Sequence, residues 1–169
     1  MLKNNRGLFG GFTLIELLVV LVILGVLATV GLTFFTSSQM RGRDSKRKSD
    51  LKQVATALEL YYSDVGAYPI SSGGKIVGCP SGTGTCAWGS SEFTDGKTTY
   101  MKIVPSDPSG GRSYYYRTVT VNSAANQGFQ LYAGLENPED PARITTTYPC
   151  GGSVTCNFAV TSANVSPTE

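Results

Sequence analysis

The sequence predicts an α+β protein, with a long N-terminal α-helix packed against a small antiparallel β-sheet. Three observations predict it. An apolar run from Phe12 to Phe35 carries a single charge, Glu16. Leu51, Val54, Leu58, Tyr61 and Val65 then recur at three- and four-residue steps and mark one face of a continuing helix. Beyond Gly66 the chain turns to short β-branched and aromatic runs parted by Gly, Ser and Asn, the pattern of strands and turns.

The apolar run, as a helix, spans about 36 Å over its roughly 24 residues, enough for a bilayer core of about 30 Å. Lys3 and Arg6 precede it. It contains Gly25 and Gly31, with Thr29 and Thr33, and no proline. Each glycine weakens a helix by about 1 kcal/mol. Glu16 is out of place in such a run. A carboxylate near the start of a spanning helix costs on the order of a few kcal/mol unless something satisfies it.

The residues Gly11-Phe12-Thr13-Leu14-Ile15-Glu16 resemble the processing site of type IV prepilins and of the pseudopilins of type II secretion. The alternative is a plain signal anchor. The resemblance implies the pilin fold and a structural subunit of a type IV pilus or a type II secretion pseudopilus. It implies that residues 1–11 are a prepilin leader, cut after Gly11 by a prepilin peptidase. The new N-terminal Phe12 is then N-methylated by the associated methyltransferase. Residues 12–35 become the transmembrane and filament-core helix, 36–65 an amphipathic stem and 66–169 a β-rich head. The partners implied are further copies in a helical homopolymer, other pilins, the inner-membrane assembly platform and membrane lipid. The implied location is single-pass in the inner (cytoplasmic) membrane with the N-terminus inside, and later an extracytoplasmic filament.

Cleavage would unmask a cationic amine on Phe12, one helical turn from Glu16. In a staggered filament the carboxylate of one subunit can instead meet the amine of its neighbour, and pairing selects the register by leaving wrong registers with unpaired charges. The other reading of Glu16 is a carboxylate solvated at the headgroups. The run is not a secretory signal peptide, because the proposed cut precedes the apolar segment rather than following it. Arg41, Arg43, Lys46, Arg47, Lys48 and Lys52 follow the run, and charge counting alone favours the opposite orientation. The processing motif outweighs that count here.

With 169 residues the chain has room for one long helix and one small head. Its formal charge is +2, and removal of Lys3 and Arg6 brings the mature chain close to neutral, so there is no global electrostatic case for nucleic acid. There is no His, which removes the commonest general base and metal ligand. No nucleophile motif converges, and the chain is read as a non-enzyme. The four cysteines form two close pairs, Cys79 with Cys86 and Cys150 with Cys156. Three connectivities are open, and local pairing is the simplest because glycine lets each loop close. Free thiols or a metal held by all four are the alternatives, although these spacings are wider than those of zinc cysteines.

From Thr36 to about Asp64 the helix continues as the stem, with Lys52, Gln53, Thr56 and Glu59 opposite its apolar face. Gly66 is the expected C-cap, followed by Pro69. The basic stretch Arg41–Lys52 reads as a solvated helix face, or as contacts to acidic groups of neighbouring subunits, rather than as a site for DNA or acidic lipid. Residues 71–91 form an irregular excursion tied by the first cysteine pair. Ser113–Val121 is a strand, Asn122–Gly128 a turn and Gly128–Ala133 the next strand. Thr145–Glu169 forms a disulfide-closed strand pair and a frayed end.

Gly66-Ala67-Tyr68-Pro69, Val104-Pro105-Ser106-Asp107-Pro108 and Phe129-Gln130-Leu131-Tyr132 follow the order seen in major pseudopilins, a looser resemblance. In that family a loop after the second long strand binds calcium. The corresponding oxygens are those of Glu136, Asn137, Glu139 and Asp140, but the glycine-rich aspartate pattern is missing and a solvated acidic turn is preferred. The alternative function is a minor or surface pilin that binds DNA or a surface ligand through Lys97, Lys102, Arg112, Arg117 and Tyr114–Tyr116.

Overall fold

The computed structural model describes residues 11–79 and 84–168, and only the backbone of residues 30–34. The expectations placed on the leader, on Lys3 and Arg6, and on the side chain of Thr33 lie outside the described residues. The chain divides into two compact units, Met1–Gln39 and Met40–Glu169.

Helix α1 runs over Leu14–Val65, 52 residues. In the first unit its apolar side chains face outward: Leu14, Ile15, Leu21, Val26 and Leu27 are each more than half exposed. Among the described residues no helix is long and apolar enough to cross a membrane.

The second unit holds the last turns of α1 and seven strands: β1 (Ser71–Ser72), β2 (Lys75–Ile76), β3 (Phe93–Thr94), β4 (Thr99–Met101), β5 (Tyr115–Val121), β6 (Ala124–Ala133) and β7 (Phe158–Thr161). β1–β2 and β3–β4 are small antiparallel hairpins, and β5-β6-β7 is the main antiparallel sheet. Leu51, Val54, Ala57 and Leu58 of α1 pack with Tyr114, Tyr116, Phe129, Leu131 and Ala133. These sheet residues alternate along β5 and β6, as a period of two requires. The alternate positions Tyr115 and Tyr132 join a second cluster with Cys150, Cys156 and Tyr148. The sheet is thus covered on both faces, which explains why β6 is buried continuously from Phe129 to Ala133.

The helix stops where Gly66 adopts φ 79° and its N–H bonds to Tyr62 O at 2.8 Å. Only glycine enters that left-handed region freely, so the expected C-cap is present. Val65 departs from expectation: it is 49% exposed and does not extend the apolar face. The β5–β6 turn is shorter than the composition suggested. Asn122 and Ser123, at φ 49° and 66°, make a two-residue turn of the kind that matches strand twist, and β6 starts at Ala124.

Both local disulfides are present, with Cα–Cα distances of 4.9 Å for Cys79–Cys86 and 5.0 Å for Cys150–Cys156. A Pro149–Thr155 bridge closes the second loop, as expected. The C-terminal tail is not frayed. β7 pairs with β6, and Tyr132 and Gln130 donate to the carbonyls of Pro167 and Ser166.

Candidate functional site

The first site is the start of α1. Thr13 and Glu16 form a reciprocal cap. Thr13 N–H and Oγ1 donate to Glu16 Oε2 at 2.8 and 2.7 Å, and Glu16 N–H donates to Thr13 Oγ1 at 3.3 Å. Such a pair satisfies two orphan donors of the first turn. The cap was legible as Thr-x-x-Glu before an apolar run, but the reading of Glu16 as a charge awaiting a partner passed over it. Phe12 is 85% exposed, and Phe12, Ile15, Glu16, Val19 and Val20 line one shallow groove. The arrangement sets one carboxylate, already pointed at the chain start, on an apolar helix surface that is exposed among the described residues of this unit.

The second site is a buried ion-pair clamp at the base of the head. Arg47 is 0% exposed. Its guanidinium donates to both oxygens of Asp107 at 2.7 Å, to Asp44 Oδ1 at 2.8 Å, to Glu136 Oε1 at 2.8 Å and to Ser109 Oγ at 2.9 Å. Arg43 pairs with Glu136, and Lys48 donates to both oxygens of Asp140 at 2.8 and 2.7 Å. Asp44 accepts from the backbone N–H groups of Glu136 and Asn137 at 2.9 and 2.8 Å. Asp50 accepts from the Tyr114 hydroxyl at 2.8 Å. The basic stretch is therefore only partly a solvated face: Arg41, Lys46 and Lys52 are exposed, and Lys46–Asp50 and Arg47–Asp44 pair within the helix. Its Arg43, Arg47 and Lys48 reach across to the loops on either side of β5–β6.

Glu136 shows the electrostatic consequence. The Arg43 guanidinium, followed by Arg47 and Ser109, holds its carboxyl at about 2 against the opposing effect of burial. A carboxyl depressed in the folded state contributes stability above its unfolded value, near 4.5, and loses it as pH falls through the folded value. The melting temperature is expected to be level from neutral pH to about 5 and to fall progressively between about 4.5 and 2. Glu136→Gln should flatten that acid limb, as read by circular dichroism at a series of pH values.

The calcium candidates are placed as follows. Glu136 is engaged by two guanidinium groups, Asp140 by Lys48, and Asn137 Oδ1 accepts from Glu139 N–H at 3.3 Å. Among the described residues no three acidic or thiol groups stand together as metal ligands. As arranged, guanidinium and ammonium groups take the carboxylate oxygens of Glu136 and Asp140. The candidate ligand-binding residues are divided as well. Tyr114 and Tyr116 are core, Tyr115 stacks on Tyr148 at 5.1 Å, and Arg117 bonds Tyr148. Arg112 donates to Gly134 O at 3.0 Å, which leaves Lys97 and Lys102 as the exposed members.

An outward apolar helix start bearing one acid, joined in sequence to a disulfide-closed α+β head, defines a class of protein built to be buried through its helix. Residues 9–32 match the family model described as a prokaryotic N-terminal methylation motif. The type II secretion system core protein G of Pseudomonas aeruginosa is 37% identical over 109 residues, covering 63% of this chain and 71% of that protein. Its Aeromonas hydrophila counterpart is 34% identical over 102 residues, covering 59% and 67%. The type IV major pilin protein PilA of Myxococcus xanthus is 40% identical over 58 residues, covering 34% of this chain and 26% of PilA. No solved structure matches. The chain belongs to the family of the type II secretion core protein G, among the type IV pilins and pseudopilins, and is a structural pilus or pseudopilus subunit.

Proposed function

We propose that this chain is the repeating subunit of a pseudopilus of the type II secretion kind. The observation that carries the reading is the uncovered apolar surface from Phe12 to Leu27, opened by the single acid Glu16. Such a surface needs lipid before assembly and neighbouring helices after it. The relatives named as secretion core protein G support the secretion machine over a pilus, since their match reaches over 109 residues whereas that to the pilin covers 58.

In this reading the chain sits in the inner membrane with its N-terminus inside. The prepilin peptidase cuts between Gly11 and Phe12, and the methyltransferase modifies Phe12. Cleavage leaves Thr13 as the residue after a cationic N-terminus, so Glu16 can exchange its Thr13 bonds for an amine. In the filament that amine comes from the neighbouring subunit. The chain catalyses nothing in this scheme; it is the substrate of processing and the material of the filament.

Mass spectrometry of protein from sheared filaments is expected to show loss of residues 1–11 and a mono-methylated Phe12. An intact Met1 in that material would overturn the processing step.

A further inference from the structure

The clamp around Arg47 has a composition that bears on how the head is held together. Asp44 comes from α1, Asp107 and Ser109 from the segment before β5, and Glu136 from the segment after β6. Three carboxylates and a hydroxyl from three separate parts of the chain converge on one cationic group that has no access to water. Hard oxygen donors are also what a divalent cation takes, but among the described residues no three acidic groups stand where they could hold one. Here the position is filled by a planar guanidinium, whose fork meets carboxylates two bonds at a time.

The charges around it also balance. Arg43 and Arg47 both bond Glu136, Arg112 Nη1 lies 3.9 Å from the same carboxylate, and Lys48 takes Asp140. Asp44, Asp107, Glu136 and Asp140 are thus matched by Arg43, Arg47, Lys48 and Arg112. A divalent ion added to these oxygens would bring two further positive charges and would have to displace a buried guanidinium. The loop after β6 is fastened to α1 by the same group, because Asp44 accepts both Glu136 and Asn137 N–H while it bonds Arg47.

We propose that Arg47 is a built-in cation: its guanidinium takes the place of a bound metal ion between the stem and the two loops, and the head of this chain folds without calcium. The claim is independent of which filament the chain enters.

The test is the thermal melt of the purified full chain in detergent, in millimolar EDTA and in millimolar calcium, for the natural sequence and for Arg47→Ala. The natural chain is expected to melt within about 1 °C in the two conditions. Arg47→Ala is expected to melt at least about 10 °C lower than the natural chain, by the same amount in EDTA and in calcium. A natural chain whose melt drops in EDTA overturns the proposal. So does an Arg47→Ala chain that keeps the natural melting temperature.

Discussion

Glu16→Ala is expected to leave a protein that reaches the membrane at normal level but yields roughly a hundredfold less filament. The substitution removes the only charge between Phe12 and Phe35 and makes the segment more apolar, so insertion does not suffer. In the proposed scheme, what is lost is the partner of the amine that cleavage unmasks on Phe12. An unpaired ammonium inside a helix bundle costs about 2.5–3.5 kcal/mol, and each 1.4 kcal/mol is about tenfold in an equilibrium. The cap seen at the helix start supplies the control. Thr13→Ala breaks the Oγ1 bonds to Glu16 but keeps the carboxylate, and the loss of a cap is worth about 1 kcal/mol. Filament recovered by shearing and quantified against membrane-held subunit should therefore fall steeply for Glu16→Ala and mildly for Thr13→Ala. Equal losses would show that capping, and not charge pairing, is what Glu16 does.

Arg47→Met is expected to destabilise the head by about 3–5 kcal/mol, the usual result of removing one partner from a buried ion pair. Methionine replaces the aliphatic volume and leaves Asp44, Asp107 and Glu136 facing one another without their shared counter-charge. The melting temperature should drop by about 10–20 °C in a unit of this size. Adding Asp107→Asn and Glu136→Gln to the variant removes the uncompensated charge and should restore part of the loss, although less hydrogen bonding remains. Lys52→Met, on the exposed side of the same helix, should change stability by no more than about 0.5 kcal/mol. A melt of Arg47→Met within a degree or two of the natural chain would mean that the clamp forms without contributing net stability.

The difference between Arg47 and Lys52 shows where sequence reading stops. Both are basic residues in one charged stretch of one helix. Lys52 lies on the exposed side and Arg47 has no exposure at all. Periodicity assigned Leu51, Val54 and Leu58 to the core correctly, since hydrophobic spacing reports which side of a helix is inward. It assigned a buried arginine to water for the same reason, because a charge at a buried position looks like a break in the pattern. Asp44 and Asp50, interleaved with the basic residues, were a signal that these charges have close partners, but the decisive partners lie elsewhere. The C-terminal tail makes a similar case. Phe158–Thr161 is β-branched and apolar enough for a strand, yet only its register against Gln130–Ala133 shows that it belongs to the main sheet.

Sequence by itself determined the long helix, its stop at Gly66, the Gly11–Glu16 motif and the tyrosine-rich strand with its partner, and made local cysteine pairing the simplest of three connectivities. Each of these depends on residues a few positions apart, through helical spacing, turn conformation or loop closure. Tertiary structure alone decided that Arg47 is buried, that the acidic loop after β6 is held by guanidinium and ammonium groups, and that both faces of the sheet are covered. The partners of Arg47 lie 60 and 89 residues away, and only the folded chain brings such distant charges within 2.8 Å of one another.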